Sequence, residues 1–168
     1  MRVLRTIPRL LAACLMLGCA DRPVEPRQPS FGVAWGPETP NFNLEVILRG
    51  EGGGFGLVRF RQPNDADLII YLDTWVRDLA PNTSYELQRA VDANVDGNCT
   101  GTGWLTLGRG TTPRAIVTDE RGTGRAELFR SVAAFPVGSQ FDIHFRVVEA
   151  GTSTVVLGSS CYQFTISL

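Results

Sequence analysis

The chain has 168 residues, with 16 basic against 17 acidic side chains and a formal net charge of −1. All the basic residues counted are arginines, so Schiff-base lysines, a phosphate-loop lysine and Ser–Lys dyads are excluded. No basic cluster is present to give nucleic acid an electrostatic footprint, and the length fits one domain plus some additional chain.

Met1–Arg9 carries Arg2, Arg5 and Arg9, Leu10–Leu17 is apolar, and Gly18-Cys19 closes the run. A charged stretch, a short apolar stretch and a small residue at a cleavage point read as a secretory signal peptide over 1–18. The apolar run is far shorter than the roughly 20 residues that span a bilayer. Met16-Leu17-Gly18-Cys19 resembles the lipobox of bacterial lipoproteins. Leu11-Ala12-Ala13-Cys14 fits the letters more closely, with Leu where Cys19's motif has Met, but leaves almost no apolar run after Pro8 and Arg9. The resemblance therefore implies that Cys19 is lipidated and becomes the mature N-terminus, so that the membrane is reached through a lipid anchor. Ala20, rather than Asp, follows that cysteine, which by the sorting rule of enteric lipoproteins implies the outer membrane, at its periplasmic face or the cell surface.

Of four cysteines, Cys14 would leave with the signal peptide and Cys19 would carry lipid. Cys99 and Cys161 remain, and an even remainder in an exported chain reads as one disulfide. Two free thiols or a metal pair are the alternatives, the latter without a His or Cys neighbour. Residues 19–42 form a lipidated tether, with five prolines between Ala20 and Phe42. Such chains are extended and semi-rigid. Within it Phe31–Trp35 is apolar and is expected to dock on the folded domain.

From residue 43 to 168 the pattern has period two. Leu44, Val46 and Leu48 are spaced two apart, Leu68, Ile70, Leu72 and Val76 share one face of a long strand, and Tyr85, Leu87 and Val91 share a face of the next. The glycine-rich Gly50–Gly56 separates two strands with no helix behind it, so it reads as a wide hairpin or bulge and not as a phosphate cradle. Further strands are expected at 104–107, 115–118, 124–132, 141–148 and 155–166. No apolar stripe of helical period occurs outside the leader. The expectation is an all-β fold: an antiparallel β-sandwich of eight or nine strands. Leu79-Ala80-Pro81-Asn82-Thr83-Ser84-Tyr85 resembles the tyrosine corner of fibronectin type III and related immunoglobulin-like domains. The resemblance implies an immunoglobulin-like sandwich, with a structural Tyr85 whose hydroxyl bonds back to the upstream backbone. The 83 residues after Tyr85 outrun the single strand that a fibronectin module has beyond its tyrosine strand, so the strand order does not carry over. The last strand alternates Tyr162, Phe164 and Ile166 against Cys161, Gln163 and Thr165. A Cys99–Cys161 bridge is therefore expected to pin the 92–103 loop to the outside or edge of the sheet.

Three features could carry chemistry. Asp92, Asn94 and Asp96, followed by Gly97, open like an EF-hand calcium loop, with oxygen ligands on alternate residues. The bidentate Glu expected at its twelfth position is Gly103. The bland alternative is a polar loop of Asx turns. Tyr71 and Trp75 fall on the outward face of the strand after residue 68, where two aromatics could form a platform for a sugar or a protein. The single histidine, His144, alternates with Ile143 and Phe145, facing the side of Asp142 and Arg146, and no serine sits in a nucleophile-elbow context. No catalytic residue is assigned, and no cofactor beyond the candidate calcium. The reading is a non-enzymatic, lipid-anchored envelope module for binding or structural duty. A calcium-dependent adhesive or carbohydrate-binding module is the first alternative and a hydrolase with an unrecognised site the second.

Overall fold

The computed structural model describes residues 42–64 and 66–168. The signal peptide, Cys19, the tether up to residue 41 and the docking expected of Phe31–Trp35 lie outside the described residues. Those described form an all-β domain of twelve strands. They are β1 (Phe42–Arg49), β2 (Phe55–Gln62), β3 (Ile69–Arg77), β4 (Ser84–Asp92), β5 (Leu105–Thr106), β6 (Gly108–Arg109), β7 (Thr112–Pro113), β8 (Ile116–Val117), β9 (Gly124–Ser131), β10 (Gln140–Glu149), β11 (Val155–Ser159) and β12 (Tyr162–Thr165).

Alternation sets the layers. Val58, Phe60 and Gln62 of β2, Ile70, Leu72, Thr74 and Val76 of β3, and Ala126 and Leu128 of β9 are all buried, because every second side chain points to the same face. β1, β2, β3 and β9 pair in that order through continuous antiparallel ladders, with Val46 opposite Val58, Phe60 opposite Leu72, and Leu72 opposite Leu128. The facing wall is built on β4 and β10, which pair antiparallel over eight residues from Asp92–Asp142 to Tyr85–Glu149. The first half of β10 pairs with β12 and the second with β11. Phe60 lies at the centre of the core, with the ring of Phe164 edge-on at 4.9 Å and that of Phe145 at 6.1 Å.

The two walls are joined at both margins. β11 reaches β1 at Leu48–Ser159. On the other side the 105–118 segment spans from β4 to β9. β5 and β8 lie on β4, β6 lies on β9 through one parallel bridge, and Thr118 pairs with Gly124. The result is a mixed, nearly closed, barrel-like sheet. This differs from the expected eight or nine antiparallel strands. β5 and β8 fall where strands at 104–107 and 115–118 are expected; the extra elements are β6 and β7 between them, and β12, because the expected 155–166 strand breaks into β11 and β12. At Gly108 the Thr112 carbonyl occupies the space a Cβ would need, and Pro113 has no N–H to donate.

The Tyr85 ring is buried in the core, and its hydroxyl accepts the Ala80 N–H at 3.1 Å, five residues upstream. Between them Asn82 adopts a φ of +49°, a left-handed conformation that Asn tolerates better than most residues. Buried Thr118 secures the same turn. Its hydroxyl accepts the Thr83 N–H at 3.0 Å and lies 2.7 Å from the Ala80 carbonyl.

Candidate functional site

The outer face of β3 presents Ile69, Tyr71, Asp73 and Trp75, because the intervening residues fill the core. Arg125 of β9 grips Asp73 with Nε and Nη2, each at 3.0 Å, which raises the Arg125 pKa above its ordinary value. Trp75 packs edge-on against Phe55 at 6.0 Å, and the Arg77 guanidinium lies over both rings, at 5.9 and 4.9 Å. Tyr71 is 40% exposed and borders a hollow of about 390 Å³ with Asn43, Arg61 and Pro63. Trp75 borders a different hollow of about 290 Å³ with Leu57, Arg59 and Asp73. Both aromatics thus stand on the outer face, but Asp73 and its arginine lie between them. They do not form one stacking platform.

On the outer face of β4 and β10 the chain between β4 and β5 folds back as a cover. Cys99 in this loop is bonded to Cys161, which lies between β11 and β12, with 5.3 Å between their Cα atoms. The bridge is half-buried at the sheet's outside and is not a link through the core. Asp142 holds the same loop just before the bridge. Its side chain is fully buried, and Oδ2 accepts the N–H groups of Asp96 (3.0 Å) and Gly97 (2.7 Å), while Oδ1 has no hydrogen-bond partner among the described residues. Sequence reasoning places Asp142 on this face without showing that the loop buries it; nothing local signals the cover.

The candidate calcium ligands are used within the same loop. Asp92 Oδ2 accepts the Thr100 hydroxyl at 2.5 Å and the Thr100 N–H at 3.2 Å, which lowers the Asp92 pKa, the hydroxyl contributing most. Asn94 turns its amide nitrogen to Asp96 Oδ2 at 2.6 Å, and Asp96 Oδ1 accepts the Asn98 N–H at 2.9 Å. Calcium needs six or more oxygens converging on one point. Among the described residues no group of three or more His, Cys, Asp or Glu side chains is placed to hold a metal ion. The side chains of Asp92, Asn94 and Asp96 are engaged instead in hydrogen bonds within the loop, to Thr100, to one another and to Asn98.

His144 faces the underside of the cover. Its Nε2 lies 3.0 Å from the Gly101 carbonyl, and its ring lies 4.5 Å from Trp104. Arg146 lies 4.0 Å over the same indole and donates from Nε to Gln88 at 2.8 Å. The histidine thus helps to seat the loop, and Trp104 adds a ring contact with His144 and Arg146 of the sheet.

No family model matches the sequence, and no curated protein matches it.

Proposed function

We propose that this chain is an exported, lipid-anchored module of a bacterial cell envelope, of immunoglobulin-like sandwich type, with a binding or structural role and no catalytic one. The observation that carries the reading is the Cys99–Cys161 disulfide. Such bonds persist in oxidising, exported compartments and are rare in the cytosol, which agrees with a leader ending at Gly18-Cys19. The sandwich reading draws on the Tyr85–Ala80 hydrogen bond and on two facing walls of antiparallel ladders. Tyr71 and Trp75 are the aromatic groups on the outer wall with which a protein or carbohydrate ligand would make contact.

The test is metabolic labelling with radioactive palmitate in a bacterial host. The wild-type chain should be labelled and should sediment with membranes. Cys19→Ser should lose both properties, and Cys14→Ser neither. Label retained undiminished by Cys19→Ser would remove the anchor from the account. A free-thiol assay on denatured, non-reduced protein should find neither Cys99 nor Cys161.

A further inference from the structure

Alternation along β4 puts Tyr85, Leu87, Arg89 and Val91 on the core-facing side. Along β9 it puts Gly124, Ala126, Leu128 and Arg130 there, and Val132 just beyond the strand is also buried. Two arginines thus occupy positions that the pattern reserves for apolar groups, one on each wall. Arg89 stands opposite Phe145 and Arg130 opposite Ile70. Both line a partly enclosed cavity of about 290 Å³ whose floor is Phe60, Ile70, Leu72, Ile143 and Phe145. The floor residues are at most 6% exposed and the arginines are half-buried, so the charged ends lie toward the open side.

Neither arginine has a carboxylate partner among the described residues, whose ion pairs engage Arg59, Arg77 and Arg125 instead. Arg130 reaches only the Gly110 carbonyl, at a long 3.4 Å, and Arg89 has no side-chain hydrogen bond among the described residues. Burial and then the Arg130 charge hold Arg89 below its ordinary pKa. Beside the cavity, the β9–β10 connection exposes Phe135 at 43% and Val137 at 47%.

We propose that this cavity binds an amphiphilic anion, a free medium-chain carboxylate, with its alkyl chain on the apolar floor and its headgroup between Arg89 and Arg130. Two guanidinium forks match a carboxylate in shape and charge. An apolar cavity of ~150 Å³ holds one benzene ring, so this one admits a single chain of roughly ten carbons. Two-chain lipids exceed that volume. The proposal goes beyond the envelope reading and does not depend on the anchor.

The test is calorimetric titration of the full chain, free of detergent, with decanoate below its micelle concentration. One decanoate should bind per chain, with Kd on the order of 10–100 µM. Butyrate, which lacks the chain, and decyltrimethylammonium, which reverses the charge, should each bind at least tenfold more weakly. Arg89→Met should weaken decanoate about tenfold and at the same time raise the melting temperature of the unliganded protein, since it removes one of two neighbouring like charges. A purely structural arginine would lower that temperature. Arg130→Gln should weaken decanoate similarly and serves if Arg89→Met does not fold. Equal affinity for decanoate and decyltrimethylammonium overturns the proposal, as does undiminished decanoate binding by both variants. Binding only to phosphatidylglycerol vesicles also overturns it. So does decanoate binding that emerges only on deletion of residues 31–35, which would give the cavity to that segment.

Discussion

Removing the disulfide should cost this domain a large part of its stability. Cys99 and Cys161 are 62 residues apart. In the chain-entropy model the closed loop lowers the entropy of the unfolded ensemble by about 14 cal/mol/K, which is about 4.3 kcal/mol at 25 °C. Domains of this kind have only about 5–15 kcal/mol in all. The variant to make is Cys99→Ala/Cys161→Ala, which avoids loose thiols, and the assay is urea unfolding followed by tryptophan fluorescence and, separately, by far-ultraviolet circular dichroism. With m of about 2 kcal/mol/M, the midpoint should fall by about 2 M in both signals. The competing account is local. The 93–104 loop is also held by Asp142, Thr100 and His144, so it could detach without the sheet noticing. In that case the amides of Asp96 and Gly97 would lose hydrogen-exchange protection while the global midpoint hardly moved. A global loss below 1 kcal/mol with that exchange pattern would refute the entropic argument.

Tyr85→Phe keeps the ring and removes the acceptor for the Ala80 N–H. It should cost about 1–2 kcal/mol, read as a drop of roughly 3–8 °C in melting temperature. Asp142→Ala strands two loop N–H groups and should cost about 2–3 kcal/mol, with earlier exchange of the Asp96 and Gly97 amides. Asp92 and Asp119 both have lowered pKa values, Asp92 through the Thr100 hydroxyl and Asp119 through the N–H groups of Thr123 and then Arg121. A depressed carboxyl pKa stabilises the fold above the ordinary value of 3.8, and that contribution is lost as pH falls through the folded value. Urea midpoints measured at pH 7 and pH 3 should therefore differ less in Asp92→Asn and in Asp119→Asn than in the wild type.

The long strands are legible because each has one face in the core. A period of two in β2, β3, β4, β9 and β10 specifies both the element and its inward side. The pairing of Cys99 with Cys161 is legible by counting. The segment from Trp104 to Thr118 is legible only as strand-like. Its four two-residue pieces take their partners from whichever wall they cross, and that is a tertiary choice with no local pattern. The acidic residues of the 92–98 stretch show why a ligand motif is weaker than it looks. Asp, Asn and Gly at these spacings suit calcium or their own loop equally well, and here the side chains bond to Thr100, to one another and to Asn98. Arg89 is legible in principle, since it interrupts a face otherwise read as Tyr85, Leu87 and Val91. It is easily missed because the apolar members of a pattern stand out before its exception.

That exception has a thermodynamic consequence. A half-buried cation with no carboxylate partner among the described residues, standing beside another, destabilises the folded state. Replacing it by an apolar side chain of similar length should gain about 1 kcal/mol. Sites under such tension persist where they serve a ligand and where stability comes from elsewhere. Here the staple between Cys99 and Cys161 lies on the outer side of β10, whereas Arg89 faces the interior from β4, and the two share no partner among the described residues. Their effects should therefore add to within about 0.5 kcal/mol. In the Cys99→Ala/Cys161→Ala background, Arg89→Met should recover about 1 kcal/mol of the roughly 4 lost, and urea midpoints of the four combinations measure this directly. If Arg89→Met instead destabilises both backgrounds, the guanidinium is a structural member of the core, and the charge left on the inward face has been misread.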